Sequence, residues 1–254
     1  MKKTVLLLGN TFSETDFINI LKTRYSKIIT LSSTQPFNKG KKITHITLDY
    51  KDYKGIKKVI KKYRPVHIFP GSNDLTLFSL SKCRIKNHFL DSYKKLFTLH
   101  NKIEFRKFYK QIFFFNSIKK LKNINIPKSS FPILAKPHVG SGGKNIVKLN
   151  NYYELSNFYK EKKGEKYLFE KYFVGSNHGV FTLIKKGKII FNFFDTEQRY
   201  KNPFTVSSTI SYCNISNLNK KKILDKIIFI VKKMNLKDGI FHIQIKFNKK
   251  KNKF

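Results

Sequence analysis

Over residues 1–90, short apolar runs alternate with amphipathic stretches, and that alternation restricts the chain to few architectures. "TVLLLG" reads as a buried strand, and "SETDFINILKTRY" as a helix with Ser13 as its N-cap. "KIITLSS" and "ITHITLD" read as strands, the second followed by the helical "YKGIKKVIKKY". "VHIFPGSND" is a strand running into a turn, and "DLTLFSLSKCRIK" a helix. Strands alternating with helices of this length predict a parallel sheet with helical crossovers. Ligands of such sheets sit at the carboxyl ends of the strands. "GNTF" (9–12) and "PGSND" (70–74) therefore fall on the expected functional edge.

The pattern changes further along. Residues 91–113 read as helical with a break near His100, and "KNINIPKSS" as a connector interrupted by Pro127 and two serines. "FPILAKP" and "NIVKL" are strands joined by a glycine-rich loop, a hairpin with no helix opening after the glycines. "YYELSNFYKEK" is helical. "KYLFEKYF", "HGVFTLIKKG" and "KIIFNFF" are strands, the last two linked by the tight turn "KKGK". "NKKKILDKIIFIVKKMN" carries a helical stripe at Ile223, Ile227, Ile230 and Val231, and "DGIFHIQIKFN" alternates as a half-buried strand. The expectation is one domain over residues 1–98 and a second over 99–254.

Composition narrows the function classes. Hydrophobic residues are 40% of 254, enough for a real core. Two cysteines, Cys83 and Cys213, exclude a disulfide framework or a multi-thiolate metal site, and favour a reducing, cytoplasmic setting. The apolar run Val5 to Leu8 is shorter than a signal-peptide core of roughly 7–15 residues. No run approaches the roughly 18 apolar residues of a membrane span. The net charge is +38. It accompanies inflated lysine, asparagine, isoleucine, phenylalanine and tyrosine, with Ala135 the sole alanine, which points to a biased genome. Arginine, the residue of bidentate base contacts, is confined to Arg24, Arg64, Arg84, Arg106 and Arg199. The expectation is non-specific, salt-sensitive polyanion affinity without a specific nucleic-acid partner.

"KPHVGSGGKN", Lys136 to Asn145, holds three glycines and a serine between lysines. It matches neither G-x-x-x-x-G-K-[ST] nor a strand-to-helix G-x-G-x-x-G. Glycines let backbone N–H groups approach phosphate oxygens, and Lys136 supplies a point charge. On its own, the loop is read slightly better as a plain turn than as a phosphate loop.

The ordered set "NKIEFRKF", "FPILAKPHVGSGGKNIVKL", "KYLFEKYFVGSN" and "DGIFHIQIKFN" resembles the ATP-grasp superfamily. It is most similar to the branch of carbamoyl-phosphate synthetase, biotin carboxylase and phosphoribosylamine–glycine ligase. The resemblance implies an α/β chain: a Rossmann-like parallel-sheet N-terminal domain followed by an ATP-grasp α+β module. It implies that Lys102 and Lys136 approach the nucleotide phosphates. The loop Gly140, Ser141, Gly142, Gly143, Lys144 and Asn145 would close over the β- and γ-phosphates. Asn145 stands where the family usually has glycine, and asparagine tolerates left-handed backbone. Glu170 would accept from the adenine amine, with the backbone of Lys171, Tyr172 and Phe173 along the ring edge. Asn177 stands where an acid often binds the ribose. Arg199 resembles the basic residue facing the transferred phosphate or the substrate carboxylate, the one catalytic assignment.

For the metal, Mg²⁺ or Mn²⁺, the resemblance implies Gln244 on the strand "FHIQIKFN". The family's following strand, "xxEhNxR", is missing, and the chain is expected to be truncated there. Two functions follow from the resemblance. One is an ATP-dependent carboxylate–amine ligase acting through an acylphosphate, with ATP, a carboxylate and an amine as partners. The other is a catalytically impaired nucleotide-binding fragment. Neither reading fixes the substrates or the oligomeric state, and neither calls for a membrane.

Overall fold

The computed structural model describes residues 3–83, 85, 90–109, 126, 128–140 and 142–254. The chain divides into two compact units, Met1–Phe97 and Thr98–Phe254.

In the first unit, β1 (Thr4–Leu8), β2 (Lys27–Ser32), β3 (Ile43–Thr47) and β4 (His67–Pro70) form one parallel sheet in the order β3-β2-β1-β4. Helices α1 (Thr15–Arg24) and α2 (Tyr53–Tyr63) carry the crossovers from β1 to β2 and from β3 to β4, and α3 (Asp74–Cys83) follows β4. Alternation along β1 explains its unbroken apolar run. Val5 and Leu7 pack with Ile18 and Leu21 of α1, while Leu6 and Leu8 pack with Ile56 of α2 and Leu80 of α3. A strand covered on both faces has no polar side to show.

The expected cap at Ser13 is not the one used. Ser13 lies inside a 3-10 turn, Phe12–Glu14, and α1 begins at Thr15. The reason is Glu14, which is buried. Its Oε2 accepts from the N–H and hydroxyl of Thr11 at 2.8 and 2.6 Å, and its Oε1 from the N–H and hydroxyl of Ser72. Burial pushes this carboxyl up, and the hydrogen bonds from Ser72 and Thr11 bring it below the ordinary range. The donors at the carboxyl ends of β1 and β4 are thus engaged by an internal carboxylate.

Helix α4 (Tyr93–His100) ends at the expected break, and α5 (Lys102–Tyr109) begins the second unit's site. Residues 110–113 of the expected helix and 122–125 and 127 of the expected connector lie outside the described residues. Strands β5 (Ile133–Pro137), β6 (Val147–Leu149) and β7 (Tyr167–Lys171) form an antiparallel sheet in the order β6-β5-β7, backed by α6 (Tyr152–Glu161). A second antiparallel sheet contains β8 (Ser176–Lys185), β9 (Lys188–Phe194), β10 (Thr196–Gln198), β11 (Ser208–Ile210) and β12 (Gly239–Phe247). Its order is β11-β10-β8-β12, with β9 paired to β8. Lys185 faces Lys188, so Lys186 and Gly187 form the expected tight turn. Helix α7 (Asn217–Met234) buries Ile223, Ile227, Ile230 and Val231 against this sheet, as its periodicity predicts. Each such side chain contributes about 1.5–3 kcal/mol when fully buried. Ser216 caps it, accepting from the N–H of Asn219. Among the described residues, no helix is long and apolar enough to cross a membrane.

Candidate functional site

In the second unit, a cavity of about 610 Å³ opens beside the β5–β6 hairpin, α5, β7 and β12. Its walls gather Lys102, Lys136, Gly140, Gly142, Gly143, Lys144, Glu170, Lys171, Phe173, Asn177, Arg199 and Gln244, residues from five separate sequence segments. Ser141 lies outside the described residues. Tyr172 and Asn145 are not wall residues. The Tyr172 ring lies under two ammonium groups, Lys148 at 4.8 Å and Lys246 at 4.9 Å. Asn145 holds φ +58°, the left-handed backbone for which asparagine is suited.

Helix α5 aims Lys102. The Asn101 carboxamide oxygen accepts from the N–H groups of Ile103 and Glu104 at 3.0 and 3.1 Å. That cap fixes the first turn, and the Lys102 ammonium reaches the Gly140 carbonyl at 2.8 Å. The loop is fixed on its other side too. The Thr205 hydroxyl donates to the Gly142 carbonyl at 2.8 Å. Gly143 sits at φ +71°, where a Cβ would lie 2.1 Å from the carbonyl oxygen of Phe204. Only glycine fits there.

Strands β5, β7, β10 and β12, helix α5 and the residue after β10 supply the charges. Glu170 of β7 accepts from Lys136 of β5 on one oxygen and from Arg106 of α5 on the other, the guanidinium at 3.2 and 3.3 Å. Burial pushes the Glu170 carboxyl up, but Lys136 and Arg106 outweigh it and hold the group below the usual carboxylate range. The carboxylate expected to receive an adenine amine is therefore occupied by two cations. Lys246 of β12 has its ammonium pulled down, first by burial, then by Arg199 and Lys136, with Glu170 opposing. Arg199 donates to Glu197 at 3.0 Å and to the Pro203 carbonyl at 3.1 Å. Gln244 donates its amide N–H to the other oxygen of Glu197 at 2.6 Å. Two buried polar atoms of the wall residues have no partner: Nε of Arg199 and Oδ1 of Asn177.

Further functional candidates, passed over by the sequence reading, are Arg106 and Lys246 in the wall and Glu197 just behind it, bonded to Arg199 and Gln244. Arg106 lies four residues after Lys102, one helical turn on the same face. Lys246 lies two residues after Gln244, on the same face of β12. Glu197 lies two before Arg199 by the same period. The signal for each is its spacing from a residue already singled out.

The cavity's chemistry is lopsided. Lys102, Arg106, Lys136, Lys144, Lys171, Arg199, Lys226 and Lys246 surround it, against the lone carboxylate of Glu170 among the described wall residues. Phe105, Tyr109, Leu134, Ile146 and Phe173 add apolar wall. Such a space takes a ligand with a flat apolar part and a multiply charged anionic tail.

No family description matches this sequence, and no curated protein matches it. Solved structures do match. The L-amino acid ligase of Bacillus licheniformis superposes with a TM-score of 0.75 at 12% identity, over 98% of this chain and 64% of its own. The N5-carboxyaminoimidazole synthetase of Staphylococcus aureus, complexed with ADP, gives 0.76 at 15% identity, over 100% and 69%. The biotin carboxylase domain of the Hydrogenobacter thermophilus 2-oxoglutarate carboxylase, bound to MgADP, ADP and bicarbonate, gives 0.76 at 14%, over 98% and 62%. The fold is the ATP-grasp fold. The chain spans about two thirds of the length of these proteins.

Proposed function

We propose that this chain binds ATP in the 610 Å³ cavity and serves as an ATP-dependent carboxylate–amine ligase. The observation that carries the reading is the convergence of Lys102, Lys136, the glycine loop, Arg199 and Gln244 on one wall. In this reading residues 99–254 are the ATP-grasp module and residues 1–98 a Rossmann-like domain preceding it, in a cytoplasmic protein. The adenine lies against the apolar wall, along the backbone of Lys171 to Phe173. The triphosphate runs toward the loop, where Lys136 and Lys102 neutralise it and the backbone N–H groups of Gly140 to Asn145 meet its oxygens. Glu170 acts through Lys136 and Arg106, holding both cations at the cavity. Asn177 offers its unpaired oxygen to a ribose hydroxyl.

The reaction transfers the γ-phosphoryl group to a carboxylate oxygen with release of ADP. The amine nitrogen then attacks the acyl carbon, phosphate leaves, and the amine loses a proton. Arg199, whose planar guanidinium suits either anion, faces the carboxylate or the transferred phosphoryl. Glu197 and Gln244 place a carboxylate and an amide side by side, oxygen donors of the type Mg²⁺ or Mn²⁺ accepts, to be completed by phosphate oxygens and water. A bound ion would supply positive charge against the phosphates.

A second reading, nucleotide binding without turnover, is favoured by one observation. Both Glu197 oxygens are engaged by Arg199 and Gln244. An ATP-hydrolysis assay with candidate carboxylates and amines separates the two. The ligase reading predicts turnover that needs both substrates and falls at least about a hundredfold in Arg199→Ala. ATP binding that is unaffected by magnesium, with no turnover, supports the second.

A further inference from the structure

We propose that a second cavity in this unit binds a small primary amine as its ammonium ion. The inference rests on the nucleotide reading of the larger cavity, because it places the amine beside the phosphate end. The second cavity has a volume of about 280 Å³ and shares Gly142, Gly143, Phe204 and Gln244 with the first. That is just below the roughly 300–1,000 Å³ of drug-sized sites, so the ligand is small.

Asp195 sets the chemistry. It lines the cavity, is 3% exposed, and accepts on Oδ1 from the N–H of Gly179 at 2.7 Å. Among the described residues it forms no ion pair. Its neighbour Glu197 is different, with both oxygens engaged by Gln244 and Arg199. In a chain with 53 lysines and arginines against 15 acids, an unpaired buried carboxylate does not reflect a shortage of cations. Leaving a buried carboxylate without a cation costs several kcal/mol, which a ligand cation removes.

Glu197 and Gln244, the pair that would hold the metal ion, also line this cavity, but around Asp195 the wall favours an organic ammonium. Among the described residues no three His, Cys, Asp or Glu side chains group to hold a metal. His242 stacks flat on Phe181, ring centroids 4.1 Å apart and planes 9° apart, and both line the cavity. This gives a flat shelf for the body of the amine, and aromatic faces attract cations. Thr205 and Thr209 add polar wall.

The test is ligand-observed NMR at neutral pH on the full chain, with and without ATP, using benzylamine, benzyl alcohol and benzoate as probes. The expected result is binding of benzylamine in preference to the other two, weakened about tenfold in Asp195→Asn. Asparagine keeps the acceptor for Gly179, and an unchanged melting temperature confirms the fold. Absent benzylamine binding, an equal response to benzoate, or undiminished binding by Asp195→Asn overturns the inference. ATP is titrated separately. Asp195-dependent benzylamine binding in a protein that does not bind ATP would overturn the nucleotide reading alone.

Discussion

The Lys136 ammonium rests on Oε1 of Glu170, reaching diagonally across the paired strands β5 and β7, where Glu170 is registered with Leu134 and Lys136 with Leu168. Because Arg106 holds the other oxygen, one carboxylate organises two cations that line the cavity. The pair therefore affects stability as well as the site.

The folded-state pKa of Glu170 lies below its ordinary 4.5. Its contribution is thus fully present above the unfolded value and is lost as pH falls through the lower folded value. Urea midpoints measured from neutral pH into acid should drop below pH 4.5, and Glu170→Gln should flatten that part of the curve. At neutral pH the same substitution leaves Lys136 and Arg106 facing each other and should cost about 2–3 kcal/mol. Unchanged neutral stability would show that the pair is screened by solvent.

Lys246 supplies a second pH signature. Burial, Arg199 and Lys136 lower its pKa from 10.5. Phosphates bound beside Lys246 would raise that pKa, so ATP binding should take up protons as pH rises toward the lowered value, and affinity should fall as pH rises through it. Lys246→Arg stays charged and should move that fall to higher pH. Identical calorimetric pH profiles for the two proteins would remove Lys246 from the binding site.

The glycine loop offers a paired test. Gly142 and Gly143 both have positive φ, but a Cβ on Gly142 meets open space while one on Gly143 meets the Phe204 carbonyl. Gly142→Ala should cost about 1 kcal/mol from backbone strain alone. Gly143→Ala should cost about 2–4 kcal/mol and weaken ATP further. Thermal melts and ATP titrations giving equal effects for the two would place the loop elsewhere.

His178 is fully buried, its Nδ1–H donating to the Asp195 carbonyl at 3.0 Å and its Nε2 accepting from the Ser176 hydroxyl at 2.7 Å. Burial lowers its pKa from 6.5, against the opposing pull of Asp195 and Glu197. The unfolded chain therefore binds the proton that the fold rejects, and stability declines as pH falls below 6.5. His178→Gln should remove this slope between about pH 7 and 5, measured by urea unfolding.

Local periodicities were readable directly. The period-2 run of β12 and the apolar stripe of α7 report burial on one face, so each element was visible alone. The three-residue strands β10 and β11 are too short to show any period. The Glu14 cap was hidden because its second partner, Ser72, lies 58 residues away. Arg106 and Glu170 are 64 apart, and Glu197 and Gln244 are 47 apart. Such pairs are set by tertiary packing and leave no local mark. Lys246 was obscured for another reason: in so lysine-rich a chain no single lysine stands out without its environment.

The central claim, a nucleotide held by Lys136 and the loop, is tested most directly by calorimetric titration of ATP into the wild type and Lys136→Ala at about 200 mM salt, which suppresses non-specific polyanion attraction. The account predicts saturable binding by the wild type, weakened by about 2–3 kcal/mol, or roughly thirty- to a hundred-and-fiftyfold, in the variant. Equal affinity in the two proteins would contradict it.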